Sequence, residues 1–407
     1  MQLGSVSRAV GRRLCSSSAG EGVTAGVFRS PITASLWEMR TKELKMSHDG
    51  MREAEAEALE LKAAEDSRTS VTFNFSQDSY LRESYRNPWS FIRTGRILED
   101  LDALAGTIAF KHCSSSSAAP PVLVTASVDS ISISRQPSLE SDMTLSGEVV
   151  WCGSSSLQIN MKCVAGEETE PWLESNFTFV ARSRETQKAT PVNPLKITTR
   201  AQYDSFREVQ EAKDAKKLAR HLRSIPTDAS EAEAKEAAHL LDLGLSLSQL
   251  PCLKREAVPM RHTKQYSLVT CMPQQRNTAN RIFGGYLMHR AFSLAHATAY
   301  LLGGSRPSVY EVDEVTFHQP VHVGDLVQFE SSVLFTTTRE SGVPSCHVEV
   351  LASVLRPEAL TAQISNRFNI EFEFPDLGQD SPLVSVLPSN LSEANRVVRA
   401  MRSGASP

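Results

Sequence analysis

The stretch RTGRILEDLDALAG, from Arg93 to Gly106, sets three carboxylates, Glu99, Asp100 and Asp102, among residues that otherwise read as a buried helix. Ionised carboxylates are costly to bury without partners. A partly desolvated carboxylate holds its proton more tightly, which makes it a better general base at neutral pH; direct attack on an acyl carbon to give an anhydride is the other role open to it. Far along the chain, NTANRIFGG carries Asn277 eight residues before Gly285, with Gly284 beside it. Glycines at a helix start let a ligand approach the backbone closely, where free N–H groups and the helix dipole favour negative charge. Spacing alone leaves Asp102 open to a second reading, a polar residue at a helix–helix interface satisfied by a neighbour.

The other candidate groups have ordinary readings. Glu99 lies near the helix start, where the dipole favours acids. Asp100 is expected to face solvent or to pair with Arg96 at i, i+4. His289 and His296 stand seven apart on the second helix, and His318 and His322 bracket a turn. None has the spacing of a metal site, so they read as core or surface histidines and no metal or cofactor is expected. The seven cysteines are scattered without a CxxC. They read as reduced thiols packed as small hydrophobes, not as a disulfide framework or a zinc site.

A chain of 407 residues, 41% hydrophobic, suits two or three domains. A net charge of −4 does not suggest nucleic-acid binding as the main role. No apolar run approaches the roughly 20 residues of an integral membrane helix. The first twenty residues, MQLGSVSRAVGRRLCSSSAG, contain arginines and serines but no acid, with Leu3, Val6, Val10 and Leu14 at helical spacing. This pattern reads as a mitochondrial transit peptide over residues 1–30. Residues 31–69 and 192–263 are rich in Ala, Glu, Lys and Leu and read as a solvated helical extension and a helical linker. Between and after them lie segments 70–191 and 264–377, each with one apolar helix followed by strands, and residues 378–407 form a C-terminal tail.

The two segments look like copies of one unit. VDSISISRQPSLESD begins at Val128 and VDEVTFHQPVHVGD at Val312, so that Gln136 matches Gln319 at an offset of 183. Ser175-Asn176 matches Ser365-Asn366, and Gly95 matches Gly285, both at an offset of 190. Three matches in one order fit an ancestral unit with loop insertions. FNIEFEF alternates Phe368, Ile370, Phe372 and Phe374 against polar residues, the period of a half-buried strand. In FGGYLMHRAFSLAHATAYLLGG, Leu287, Met288, Phe292, Leu294, Ala295 and Tyr300 cover more than one face, which predicts a buried helix stopped by Gly303-Gly304. A buried helix with antiparallel strands gives an α+β fold, a sheet wrapped around a central helix.

Taken together, RTGRILEDLDALAG, NRIFGGYLMHRAF, GGSRP and FVARS with VNPL resemble the mitochondrial acyl-coenzyme A thioesterases with two tandem hotdog domains. Ser183 in VARS departs from the acid expected there. The resemblance implies two tandem hotdog domains and a thioester hydrolase that converts acyl-CoA to free acid and CoA. It also implies location in the mitochondrion, in its matrix, and a homo-oligomer, a trimer of double-hotdog chains. Carried over residue by residue, it assigns catalysis to Asp102, Asn277, Gly284 and Gly285, in one site shared between the two domains. The position matching Asp102 in the second copy is Phe292, which cannot activate water. The second site would therefore be degenerate. CoA carries phosphates, and Arg93, Arg96, Arg281 and Arg306 flank the two helices as candidates to hold them. A hotdog hydratase or dehydratase and a non-catalytic acyl-CoA binder are the alternatives.

Overall fold

The structure, a computed structural model, describes residues 30–48, 59–114, 121–223, 228–249, 257–277, 280–313, 315–377 and 383–403. The segment expected as a transit peptide lies, apart from Ser30, outside the described residues. The main helices are α1 (Pro31–His48), α2 (Ser79–Tyr85), α3 (Thr94–Cys113), α4 (Arg200–Arg223), α5 (Asp228–Gln249), α6 (Gly284–Gly303) and α7 (Leu391–Ser403).

Two sets of six strands accompany them. The first is β1 (Thr69–Phe73), β2 (Val122–Val128), β3 (Ile131–Ile133), β4 (Met143–Cys152), β5 (Ser156–Ala165) and β6 (Leu173–Arg182). The second is β7 (Gln265–Thr270), β8 (Ser308–Val312), β9 (Val315–Phe317), β10 (Leu326–Thr338), β11 (Pro344–Arg356) and β12 (Thr361–Glu373). They form one sheet in the order β7-β10-β11-β12-β8-β3-β6-β5-β4-β1, with β2 paired to β6 and β9, and β9 paired to β12. Every pairing is antiparallel. Each strand of the first set has its counterpart six labels later. The sets join reciprocally, β3 to β8 through Ser132 and Glu311, and β2 to β9 through Val128 and Val315. The repeat read from three sequence matches is thus a pseudo-twofold arrangement of two hotdog units.

Each sheet half wraps one helix. On β12, Phe368, Ile370 and Phe372 point inward and are buried, as alternation requires. Of the α3 residues only Arg96 and Lys111 are not buried. α6 differs from expectation, since Tyr300 and Leu301 are exposed. The reason is that α1 covers α3, whereas no described helix covers α6 in the same way. α1 itself corrects the reading of 31–69 as solvated, because Thr33, Leu36 and Trp37 are buried, Leu36 and Trp37 in the common core. The tail contains an ordered helix as well. In α7, Ala394, Val397 and Val398 are buried at helical spacing, and Arg396 pairs with the buried Glu349 of β11. The five described cysteines are free thiols, and Cys15 and Cys252 lie outside the described residues.

α3 and α6 pack side by side, and glycine sets how closely. A Cβ on Gly285 would lie 2.9 Å from the Glu99 Cα and 2.7 Å from the Phe283 ring. A Cβ on Gly95 would collide with the His289 ring. The two contacts are related by the repeat, since Glu99 and His289 are also 190 apart. Backbone against backbone leaves Gly285 no room to adjust. Gly285→Ala is therefore expected to destabilise the fold by about 1–3 kcal/mol, as overpacking does, read as a lowered urea midpoint at constant slope.

Candidate active site

Asp102 faces α6 from the third turn of α3 and is 4% exposed. Its Oδ2 accepts the Gly285 N–H at 2.7 Å, and its Oδ1 accepts the Thr125 hydroxyl at 3.0 Å. Burial pushes the carboxyl up to about 6, against the pull of the Gly285 N–H, the Thr125 hydroxyl and the Arg40 guanidinium. A Cβ on Gly284 would lie 3.0 Å from Asp102 Oδ2 and 3.2 Å from the Phe317 ring, so both glycines serve the approach of this carboxylate.

Asn277 stands in the loop that leads into α6. Its Oδ1 accepts the Arg281 N–H at 3.1 Å, and its own N–H donates to the Arg281 carbonyl at 2.6 Å. Asn280, at φ 58°, turns this loop. The loop of the first copy repeats the device: Asn87 Oδ1 accepts the Phe91 N–H at 2.9 Å, and Ser90 sits at φ 63°. Asn87, 190 residues before Asn277, is thus its structural counterpart.

Asp102, Asn277 and Gly284 line one cavity of about 160 Å³, with Gln319 and, from α1, Trp37 and Arg40. Trp37 meets the Phe283 ring edge-on at 5.3 Å, and Arg40 Nη1 would be 3.1 Å from a Cβ on Gly106. Sequence reading missed both α1 residues, because nothing local in a charged helix marks which residue will reach a distant cavity. Of the four arginines named for phosphate, Arg281 lines this cavity, together with Arg182. Both reach Gln187: Arg281 donates to its side-chain oxygen at 3.2 Å and Arg182 to its carbonyl at 3.0 Å. Arg93 and Arg306 line a different cavity, of about 410 Å³, with Asn87, Gly95, Gln136, His289 and Phe292. Arg96 lines neither.

The other two acids depart from expectation. Asp100 is fully buried, neither facing solvent nor paired with Arg96. It accepts hydroxyls from Ser30, from Thr33 at 2.9 Å and from Tyr85 at 2.5 Å. Burial pushes its carboxyl up to about 7, against these three donors. Glu99 lies beyond the first turn of α3, buried, and its Oε1 meets His289 Nδ1 at 2.8 Å. His289 is thus the partner of a carboxylate, neither a plain core nor a plain surface residue. The signal for this pair was the offset of 190, not applied to Glu99.

A family profile described as Thioesterase superfamily matches residues 279–348. The chain is 38% identical over 390 residues to acyl-coenzyme A thioesterase 2, chloroplastic, of Humulus lupulus, covering 92% of this chain and 89% of that one. It is 39% identical over 389 residues to acyl-coenzyme A thioesterase 4, mitochondrial, of the same plant, covering 92% and 73%. It is 35% identical over 344 residues to acyl-coenzyme A thioesterase 9, mitochondrial, of Homo sapiens, covering 82% and 78%.

The Asp100 cluster ties α1, and with it Arg40 and Trp37, to α3. Thr33→Val keeps the side-chain shape and removes one of the three donors. It is expected to cost about 1–3 kcal/mol of stability, the range for a buried acceptor left short of a partner, read by denaturant unfolding.

Proposed function

The chain belongs to the acyl-coenzyme A thioesterases, and from that premise we propose that it hydrolyses acyl-CoA to free acid and CoA in the cavity of Asp102. The observation that carries this reading is the contact of Asp102 with Gly285. It sets a desolvated carboxylate of one unit against the helix start of the other, with Asn277 lining the same cavity.

Asp102 acts as general base. It takes a proton from water as the water oxygen attacks the thioester carbonyl. The Gly285 N–H holds the carboxylate before reaction. A protonated carboxyl is a weaker acceptor than a carboxylate. The N–H is therefore released as the oxyanion forms beside it, and the α6 dipole favours that charge. Asn277 offers its amide to the same oxygen or to the water. The tetrahedral species collapses with loss of the CoA thiolate, which recovers the proton from Asp102.

Arg40, Arg182 and Arg281 suit the phosphates of CoA, since guanidinium forks match phosphate oxygens. The roles proposed from sequence for Arg93 and Arg306 pass to the second cavity. Mitochondrial import to the matrix is proposed from the basic amphipathic residues 1–30. Two of the three relatives carry a mitochondrial name and one a chloroplastic name. Assembly into a trimer of two-unit chains is proposed on the resemblance alone.

Release of free thiol from a chain-length series of acyl-CoA tests the reading. A pure binder releases none, and a hydratase leaves the thioester intact, so silence on every chain length would overturn it. Asp102→Asn is expected to lower kcat by about 10²–10⁴-fold, the usual contribution of a general base, with the far-ultraviolet spectrum unchanged. Full activity in Asp102→Asn would sink the assignment.

The base must be ionised to accept a proton. Since burial sets the Asp102 carboxyl at about 6, kcat/KM is expected to rise as pH rises through about 6 and to level off above it.

A further inference from the structure

The second cavity repeats most of the first. Asn87 stands for Asn277, Thr94-Gly95 for Gly284-Gly285, and Gln136 for Gln319, and these residues line it together. Arg93 and Arg306 line it too, and Arg306 lies over the Phe91 ring at 4.6 Å. The missing part is the carboxylate, because Phe292 occupies the place of Asp102 and packs 5.9 Å from the Phe372 ring. One turn earlier on the same helix stands His289. Its counterpart Glu99 does not line the first cavity, whereas His289 does line the second.

The orientation of His289 follows from its neighbours. Nδ1 meets the Glu99 carboxylate at 2.8 Å, and the other edge of the ring lies against Gly95 at the start of α3. A carboxylate can only accept, so Nδ1 carries the hydrogen of this bond, and Nε2 is the ring nitrogen left to take up a proton. A Cβ on Gly95 would be 3.1 Å from Nε2, so this side of the ring lies next to the start of α3.

We propose that the second cavity is a second site for acyl thioesters of CoA, in which His289, held by Glu99, replaces the missing carboxylate as base. The proposal rests on the thioesterase reading of the first cavity. Water gives its proton to His289 Nε2 while its oxygen bonds to the thioester carbon. The carbonyl oxygen, now an oxyanion, lies against the Gly95 N–H and the Asn87 amide. The carbon–sulfur bond then breaks, and the CoA thiolate takes the proton back from the imidazolium. The products are free acid and CoA thiol, as at the first site, with no co-reactant besides water.

The full-length protein tests this through Asp102→Asn, alone and combined with His289→Gln. The single variant is expected to keep a residual thiol release above the uncatalysed rate, and the added substitution to lower that residue at least about tenfold, the low side of a base's contribution. Calorimetric titration of the unsubstituted protein with CoA is expected to give two molecules bound per chain. A residual rate indifferent to His289, or one CoA per chain, would overturn the second site and leave the first intact. An unsubstituted protein that releases no thiol would overturn the thioesterase reading itself.

Discussion

The crossing of α3 and α6 at Gly95 and Gly285 decides how far the side chains of each helix reach into the other unit. A Cβ at Gly285 would hold the two helix backbones apart by a substantial part of an ångström, and one at Gly95 would displace the His289 ring. The hydrogen bonds that the Gly285 N–H donates to Asp102 and the His289 ring to Glu99 span that gap and tolerate little lengthening. The same closeness lets the sheet halves join as one, through β2 with β9 and β3 with β8. Site and fold therefore share one constraint. This is why glycines at a helix start that borders a candidate site cannot be read as serving the ligand alone.

The three acids of α3 separate by helical geometry. Glu99 and Asp102, at i and i+3, share a face that looks onto α6, whereas Asp100 lies on the adjoining face toward α1 and α2. Each carboxylate is satisfied differently: Asp100 by three hydroxyls, Glu99 by an imidazole, Asp102 by one N–H and one hydroxyl. Only Asp102 shares a cavity with an asparagine amide and a helix start. Asp100 is the more shielded acid and is surrounded by donors from α1 and α2, which suits an anchor. Burial alone does not single out the proposed base; access to the cavity does.

Much of this was legible in the sequence, for definable reasons. The inward alternation of Phe368, Ile370 and Phe372 marks β12 through local period. The offsets of 183 and 190 mark the repeat through self-comparison, which also sets Asp102 against Phe292. What stayed hidden depends on contacts between distant segments. Two of the Asp100 hydroxyls come from Ser30 and Thr33, about seventy residues upstream, where the expected transit peptide ends and a segment whose composition reads as solvated begins. Arg40 and Trp37 reach the cavity only because that docking holds α1 in place. The Glu99–His289 pair was recoverable in principle. Residues at equal positions in two copies meet when the pseudo-twofold axis runs between their helices, and an offset of 190 from Glu99 gives His289.

Joining the two units in one chain removes the requirement that the two ends of the pseudo-axis stay equal. At the first end α1 closes over α3, and Gly106 leaves the space that the Arg40 guanidinium fills. The matching position at the second end is His296, whose ring lies 5.6 Å from the Trp89 ring and 6.3 Å from the Phe292 ring. An arginine entering as Arg40 does would meet that imidazole. The second cavity is accordingly larger, about 410 Å³ against about 160 Å³, and among the described residues no helix covers it as α1 covers the first. A carboxylate at 292 would sit among Phe372, His296 and Ala295 with little to offset its desolvation. Phe292 relieves that cost, and the base function, if it is to exist at that end, has to come from a side chain nearer the helix crossing, which is where Glu99 holds His289.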